Sequence, residues 1–497
     1  MRFAVIDSKL VPEKILGSPI SRIDDIPEIP LDPQFSFQAD LKKILNGKQL
    51  LFEDVPFSHE IIQQHYEHGY VTYRKGLITA GKRFVCQRCG NEDKTWFAAF
   101  HCHRCNEECA YCRRCLMMGR VSECTPLVGW RDDAEVGSNG RDDVAQRLLQ
   151  WDGSLSDGQK EAAIRVERAM LEKEELLVWA VCGAGKTEIL FQGIEAAIAA
   201  GQRVCIATPR TDVVLELAPR LKAVFPNVSI AALYGGSEER HVFAALTIST
   251  THQLLRFYRA FDTLIVDEVD AFPYSVDETL HYAVRQARKP YSAMIFLTAT
   301  PCRSWQRECR EGKRAHVTIP ARFHRHPLPV PEFVWCGNWA KLLQKGRLPG
   351  SVVSWAKTRC DAGKGALMFI PRIELMEKML PLFRKLHQGI ESVHAEDSHR
   401  KEKVRKMREG KIPLLLTTTI LERGVTFPNI DVAVLGAEAE LFTESALVQI
   451  AGRAGRSASF PKGVVSFFHF GVTEEMQRAR KVIQSMNKEA EKRCLVD

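Results

Sequence analysis

The sequence predicts an α/β protein in which two doubly wound parallel-sheet lobes follow an N-terminal region and a small cysteine-rich module. Three observations carry this. Short β-branched and aliphatic runs alternate with helix-like stretches from about residue 155 and again from about 365, as strands and crossover helices do in parallel sheets. Eight of the 15 cysteines crowd between residues 86 and 124. The chain has 497 residues, the length of about three domains, and its 45% hydrophobic and 26% charged residues match an ordinary soluble fold. Wholesale disorder and a membrane bundle are thereby excluded.

In chain order, residues 1–80 are mixed sequence punctuated by Pro27, Pro30 and Pro33, with HEIIQQHYEHGY reading as a short helix. Residues 81–130 hold the cysteine module, and the polar stretch within 131–153 reads as a linker. The first lobe, 154–320, has ELLVWAV, RVCIAT, TLIVDE and AMIFLTAT as strands; the second, 321–497, has GALMFI, IPLLLTT, DVAVLG and VVSFFHF. Between them PARFHRHPLPVPEFVW, with four prolines and little periodicity, reads as a hinge. The opening MRFAVIDSKLVPEK lacks the ~7–15-residue apolar core of a signal peptide, and no run reaches the ~18 apolar residues of a membrane span. A cytoplasmic protein with no transmembrane segment is expected, and its net charge of +8 suits a nucleic-acid partner without demanding one.

The run ELLVWAV leads into AVCGAGKTE (180–188) and then a helix-like stretch, which is the strand, glycine turn and helix order of a phosphate loop. Gly183 and Gly185 let backbone amides turn inward around phosphate oxygens, with Cys182 and Ala184 completing the loop. Lys186 would reach the β and γ phosphates, and Thr187 would hold Mg²⁺. Ala180 stands where the strict motif has glycine. Further on, TLIVDEVD presents Asp267 and Glu268 at a strand's carboxyl end, the first acid suited to Mg²⁺ and the second to orienting a water at the γ-phosphate. The combination predicts ATP hydrolysis and not binding alone.

From here the order of motifs resembles helicase superfamily 2 over about 155–470. Gln159 in SLSDGQ looks like its adenine-reading glutamine, and ATPR (207–210) and TTHQLLRF (250–257) sit where strand-contacting motifs of the first lobe lie. Thr298, Ala299 and Thr300 resemble the segment linking the ATP site to the nucleic-acid groove. TTTILERGVTFPN (417–429) and QIAGRAGR (449–456) match the last two motifs, with Arg453 and Arg456 in the arginine-finger positions. The resemblance implies RecA-like lobes. A guanidinium delivered from the opposite lobe would stabilise transferred-phosphoryl charge only when the lobes close, making the pair a clutch for translocation.

Cys86/Cys89, Cys102/Cys105 and Cys112/Cys115 are C-x-x-C pairs, with Cys109 and Cys124 nearby. In a reducing compartment this spacing points to zinc knuckles, since two thiolates separated by two residues reach one tetrahedral Zn²⁺. His101 and His103 lie among them and rank below the thiolates. CQRCG followed by YCRRCLMMGRV resembles the four-cysteine element of the ComFA family of competence helicases, which implies pairing Cys86 and Cys89 with Cys112 and Cys115. Cys102, Cys105, Cys109 and Cys124 are then left for a second, interleaved site, as in the PriA family; whether they hold an ion the sequence leaves open.

Two basic runs, 302–314 around Trp305 and 398–411, suit single-strand binding but equally a solvated helix face. Over about 80–470 the chain resembles ComFA. That resemblance implies ATP, Mg²⁺ and Zn²⁺ as cofactors, single-stranded DNA as substrate, other DNA-uptake proteins as partners, and a place at the inner face of the cell membrane during natural transformation. The alternative is a PriA-like replication-restart or repair helicase, which shares every motor motif.

Overall fold

The computed structural model describes residues 3–6, 9–12, 26–81, 83–102, 107–131 and 148–497. Cys105 and His103, and most of the stretch expected as a linker, lie outside them. At the N-terminus β1 (Phe3–Ile6) and β2 (Lys9–Pro12) pair antiparallel. The segment read as a short helix is one, His59–Glu67: Ser58 caps it by accepting from the Ile61 amide at 3.4 Å, and Gly69, at φ +77°, turns the chain away. Its apolar face, Ile62 and Tyr66, packs with Leu41 and Leu45 of the helix Ala39–Leu45 and with Trp130.

That core lies on a small antiparallel sheet of β3 (Leu50–Leu51), β4 (Val71–Lys75) and β10 (Pro126–Trp130), ordered β3-β10-β4 with Leu127 opposite both Leu51 and Arg74. The cysteine segment is therefore inserted between two strands of one sheet. It contains the hairpin β5 (Leu77–Ala80) with β6 (Arg83–Cys86), and a three-stranded ribbon of β7 (Phe97–Cys102), β8 (Glu107–Cys112) and β9 (Val121–Ser122).

All eight runs read as motor strands are strands: β11 (Glu175–Ala180), β12 (Val204–Thr208), β15 (Phe261–Asp267) and β16 (Arg288–Thr298) in the first sheet, and β19 (Gly365–Phe369), β21 (Leu414–Thr417), β22 (Ile430–Leu435) and β23 (Val465–His469) in the second. Others were not foreseen: β13 (Ile230–Leu233), β14 (Leu246–Thr250), β17 (His316–Ile319), β18 (Glu332–Trp335) and β20 (Glu391–Val393). The segment read as a hinge thus ends in β18. Strand orders are β13-β14-β12-β15-β16-β11-β17 and β18-β23-β22-β19-β21-β20, and the pairings β12–β15 and β19–β22 are parallel. Two α/β lobes with parallel sheets are what the chain builds. Val204–Thr208 and Ile430–Leu435 are buried at every position, because a parallel sheet is covered on both faces.

By compactness the chain resolves into two units: Met1–Asp152 with Val166–Leu176 and Phe191–Phe296, and Gly153–Arg165 with Leu177–Leu190 and Leu297–Asp497. Among the described residues no helix is long and apolar enough to cross a membrane.

Candidate active site and metal centre

Strand β11 ends at Ala180 and the chain enters the loop with Gly183 at φ +84° and Gly185 at φ +73°, conformations that a side chain would strain. Gln159 donates through Nε2 to the Ala184 carbonyl at 2.9 Å and accepts from the Ser156 amide through Oε1 at 2.9 Å. The glutamine expected to read adenine is thus placed under the loop, where it fixes the loop's shape. Cys182 is buried, its thiol donating to Gln449 Oε1 at 3.0 Å. Its neighbourhood explains Gly452: a Cβ there would stand 2.7 Å from Cys182 Sγ. Gly452→Ala is therefore expected to destabilise the protein by about 1–3 kcal/mol through overpacking. Cys182→Gly in the same chain should restore most of the loss, a double-mutant cycle measured by urea unfolding.

Two further links run from the loop's strand to the residues after β16, and from those to the second motor segment. Trp179 Nε1 donates to the Ala299 carbonyl at 3.1 Å, and two residues after Thr298 the Thr300 hydroxyl lies 2.8 Å from that of Ser445, to which Arg423 also donates at 3.3 Å. Ser445 lies in the first turn of the helix Glu444–Ala451, which runs into the GRAGR arginines. The two arginines read together as fingers do different things. Arg453 is buried and donates to the carbonyls of Glu422 and Val425, pinning the loop after β21. Arg456 is half-buried, with its Nε on the Gly452 carbonyl at 3.0 Å.

Arg322 is a site residue that sequence reading missed. It is 1% exposed, donates to the Gly455 carbonyl, and its Cγ would lie 3.6 Å from a Cβ on Gly183, so it fills the space between the phosphate loop and the GRAGR turn. Burial, with Arg456 nearby, pushes its guanidinium down to about 10. No ion pair with a carboxylate holds it among the described residues. The proline-rich context gave no signal for this, since a buried arginine has no sequence period.

Asp267 is the last residue of β15, and its Oδ1 accepts from the Glu268 amide at 2.9 Å, holding Glu268 at φ +56°. A left-handed non-glycine residue at a strand end is sparsely populated, and such residues concentrate at functional sites.

The sulfurs of Cys86, Cys89, Cys112 and Cys115 all lie within 4.8 Å of one another, Cys86 being 3.5 Å from Cys115 and Cys89 3.6 Å from Cys112. Four thiolates around one tetrahedral zinc would be about 3.8 Å apart, so the set fits. The sulfurs are buried, and Arg88, 3% exposed, donates to the carbonyls of Cys115, Met118 and Gly119. Hydrogen bonds from the Cys112, Cys86 and Cys89 thiols pull Cys115 toward the thiolate, and Arg88 adds to this. A guanidinium beside the cluster would offset the net negative charge of a four-thiolate zinc. The grouping is the one the ComFA resemblance implied. Cys102, Cys109 and Cys124 form a second buried group within 4.8 Å, with Cys102 3.8 Å from Cys124; their proposed fourth member, Cys105, lies outside the described residues.

The first knuckle is not free-standing. A Cβ on Gly90 would collide with the Tyr282 ring, and Gln286 Nε2 donates to the Gln87 carbonyl at 2.9 Å. Arg114 Nη1 donates to Thr279 Oγ1 at 2.9 Å. All three partners lie on the helix Glu278–Ala287, which starts shortly after Asp267–Asp270.

Neither basic run is a bare cationic face. In the helix Arg400–Arg408, Lys406 pairs with Glu402 and Arg405 with Glu409; near the helix Arg303–Arg310, Arg314 pairs with Glu308 at 2.7 Å and lies over Trp305 at 4.2 Å. Both surfaces are thus partly charge-compensated and remain net basic.

A phosphate loop at the end of one parallel sheet, packed against Arg322, which bonds to the GRAGR turn beside the second sheet, makes this an ATP-driven helicase-type enzyme. Family models agree: residues 158–308 match the DEAD/DEAH box helicase and 354–458 the helicase conserved C-terminal domain. Such domains take ATP with Mg²⁺. A third model, the competence protein ComFA N-terminal domain, matches 34–129. The chain is 50% identical over 464 residues to competence protein ComFA of Bacillus subtilis strain 168, covering 93% of this chain and 98% of that protein. It is 39% identical to competence protein ComFA of Streptococcus pneumoniae R6, covering 82% and 91%. The replication restart protein PriA of Bacillus subtilis is 21% identical, covering 61% and 49%. The chain belongs to the ComFA family.

Proposed function

We propose that the chain is an Mg-ATP-driven translocase on single-stranded DNA that draws incoming DNA into the cytoplasm during natural transformation, working with other uptake proteins at the inner face of the membrane. The observation that carries the motor reading is the hydrogen-bonded path from Trp179 to Ala299, and from Thr300 through Ser445 to Arg423. A change of state at the phosphate loop is carried along it to the elements expected to grip nucleic acid. Lys186 offsets γ-phosphate charge and Thr187 meets Mg²⁺. Asp267 and Glu268 are assigned, by their place in the sequence, to the magnesium ion and the attacking water. Arg456 supplies transition-state charge, whereas Arg453 acts through the loop it pins. Cys86, Cys89, Cys112 and Cys115 hold zinc, which supplies folding energy to the module; Cys102, Cys109 and Cys124, with Cys105, are its second site.

The test is ATPase activity with single-stranded DNA, duplex DNA or RNA as stimulant. Stimulation by single-stranded DNA without duplex unwinding supports uptake, and unwinding of forked duplexes would favour the PriA-like alternative. Within the same assay, Glu268→Gln is expected to bind ATP as the parent does and to hydrolyse it about 10²-fold more slowly, because shape is kept and basicity lost. Loss of ATP binding in that variant would put Glu268 in a different role.

A further inference from the structure

We infer that the N-terminal region carries a second nucleic-acid site, a cationic and aromatic groove built by the β3-β10-β4 sheet and the Tyr258–Arg259 turn that takes the phosphates and bases of a single strand. Lys48, Arg74, Arg131 and Arg259 line one cavity of about 520 Å³. Among the described residues none of the four forms an ion pair with a carboxylate, and the only acid on the cavity wall is the exposed Glu28. Lys48 is 3% exposed, with Nζ donating to the Arg240 carbonyl at 2.9 Å. Burial and the nearby Arg203 and Arg256 push its ammonium down to about 7. Lys48 would regain its full charge beside an anion, while the half-buried Arg74 and Arg131 and the exposed Arg259 carry theirs with no carboxylate partner, so the four together make a good seat for an anion.

The seat is built and not incidental. Arg74 Nη2 donates at 2.7 Å to Oε1 of Gln49, which is itself 3% exposed and anchored through Nε2 to the Leu255 carbonyl at 3.1 Å, and the guanidinium lies 3.6 Å over the Tyr258 ring. A second cavity of about 640 Å³ shares Trp130, Arg131 and Arg259 with the first and adds Lys42, Arg203 and Tyr291. Its one carboxylate, Asp262, is already engaged by Lys289 at 3.0 Å. Cations and rings therefore continue past a shared wall, over a path longer than one nucleotide needs. Phosphate neutralisation with base stacking is how single strands are held without sequence preference. A mononucleotide would fill one void and leave the other without a phosphate.

The inference rests on the nucleic-acid reading above, and the two fail separately. The probe is fluorescein-labelled oligo(dT) of about 20 nucleotides with the full-length protein. Arg131→Glu with Arg259→Glu is expected to weaken binding on the order of tenfold and to lower the slope of log affinity against log salt by about 1.4, or about 0.7 per lost phosphate contact. Basal ATPase without DNA should be unchanged. Arg131→Lys with Arg259→Lys should bind nearly as the parent does. An oligonucleotide carrying 5-iododeoxyuridine should photo-crosslink to Tyr258 or Tyr291, and the reversal variant should lose that product. Unchanged affinity and slope in the reversal variant overturn the groove, as do crosslinks confined to residues 297–497, or displacement of the crosslink by inorganic pyrophosphate as readily as by oligo(dT). Failure of the unaltered protein to respond to single-stranded DNA would instead remove the translocase reading.

Discussion

Replacing Arg456 with alanine is expected to lower DNA-stimulated ATP turnover by ~10³-fold or more while leaving nucleotide affinity within a few-fold of the parent. The argument separates it from Arg453. Both sit in QIAGRAGR, and both are candidates for stabilising the charge on a transferred phosphoryl group. Arg453 is 1% exposed and committed to the Glu422 and Val425 carbonyls, so its removal should open the loop after β21 and lower thermal stability with activity. Arg456, half-buried near Arg322, has its Nε on one carbonyl, and among the described residues its terminal nitrogens bond to no other group, leaving donors for phosphate. Saturating-DNA kcat, fluorescent-nucleotide Kd and a melting curve on both variants check this. An Arg456→Ala protein with unchanged turnover would make the motif a packing element; an Arg453→Ala protein that melts like the parent would remove the distinction drawn here.

The interior of the motor was legible because burial on both faces leaves a strand little compositional freedom. Val204–Ala207 and Val432–Leu435 are unbroken apolar runs, and the phosphate loop follows another such run directly. Edges were not legible. Ile230–Leu233, His316–Ile319, Glu332–Trp335 and Glu391–Val393 are the four outermost strands of the two sheets, three or four residues each, and too short or too polar to stand out. Leu246–Thr250 escaped because threonine and serine fill a buried strand. At the site, the residues expected to do chemistry stand out by motif spacing, whereas Arg322 and Ser445 fill or bridge a space that exists only once the chain is folded. The same holds for the N-terminal region, where sequence reading found no chemistry: Lys48, Arg74 and Arg259 are far apart in the chain and meet at one cavity.

Cys86→Ser combined with Cys89→Ser is expected to release one full zinc equivalent, measured by metal analysis of the purified protein. Because a structural zinc contributes ~10–16 kcal/mol of apparent binding energy to a small module, its loss should unfold the ribbon around Cys86–Cys124, seen as fast amide exchange there. Sequence reasoning alone would leave the motor untouched, since each lobe has its own core. The structure changes that expectation. Gly90 abuts Tyr282, Gln87 accepts from Gln286, and Arg114 donates to Thr279, so one face of the helix Glu278–Ala287 loses its cover when the knuckle melts. That helix begins shortly after the Asp267–Glu268 strand end. ATP binding at Lys186 should persist, while DNA-stimulated turnover falls with the zinc. Tyr282→Ala in a zinc-replete protein separates the two causes: it keeps the metal and removes the principal contact, and it should reproduce part of the turnover defect. Normal turnover in both variants would leave the module mechanically independent of the motor.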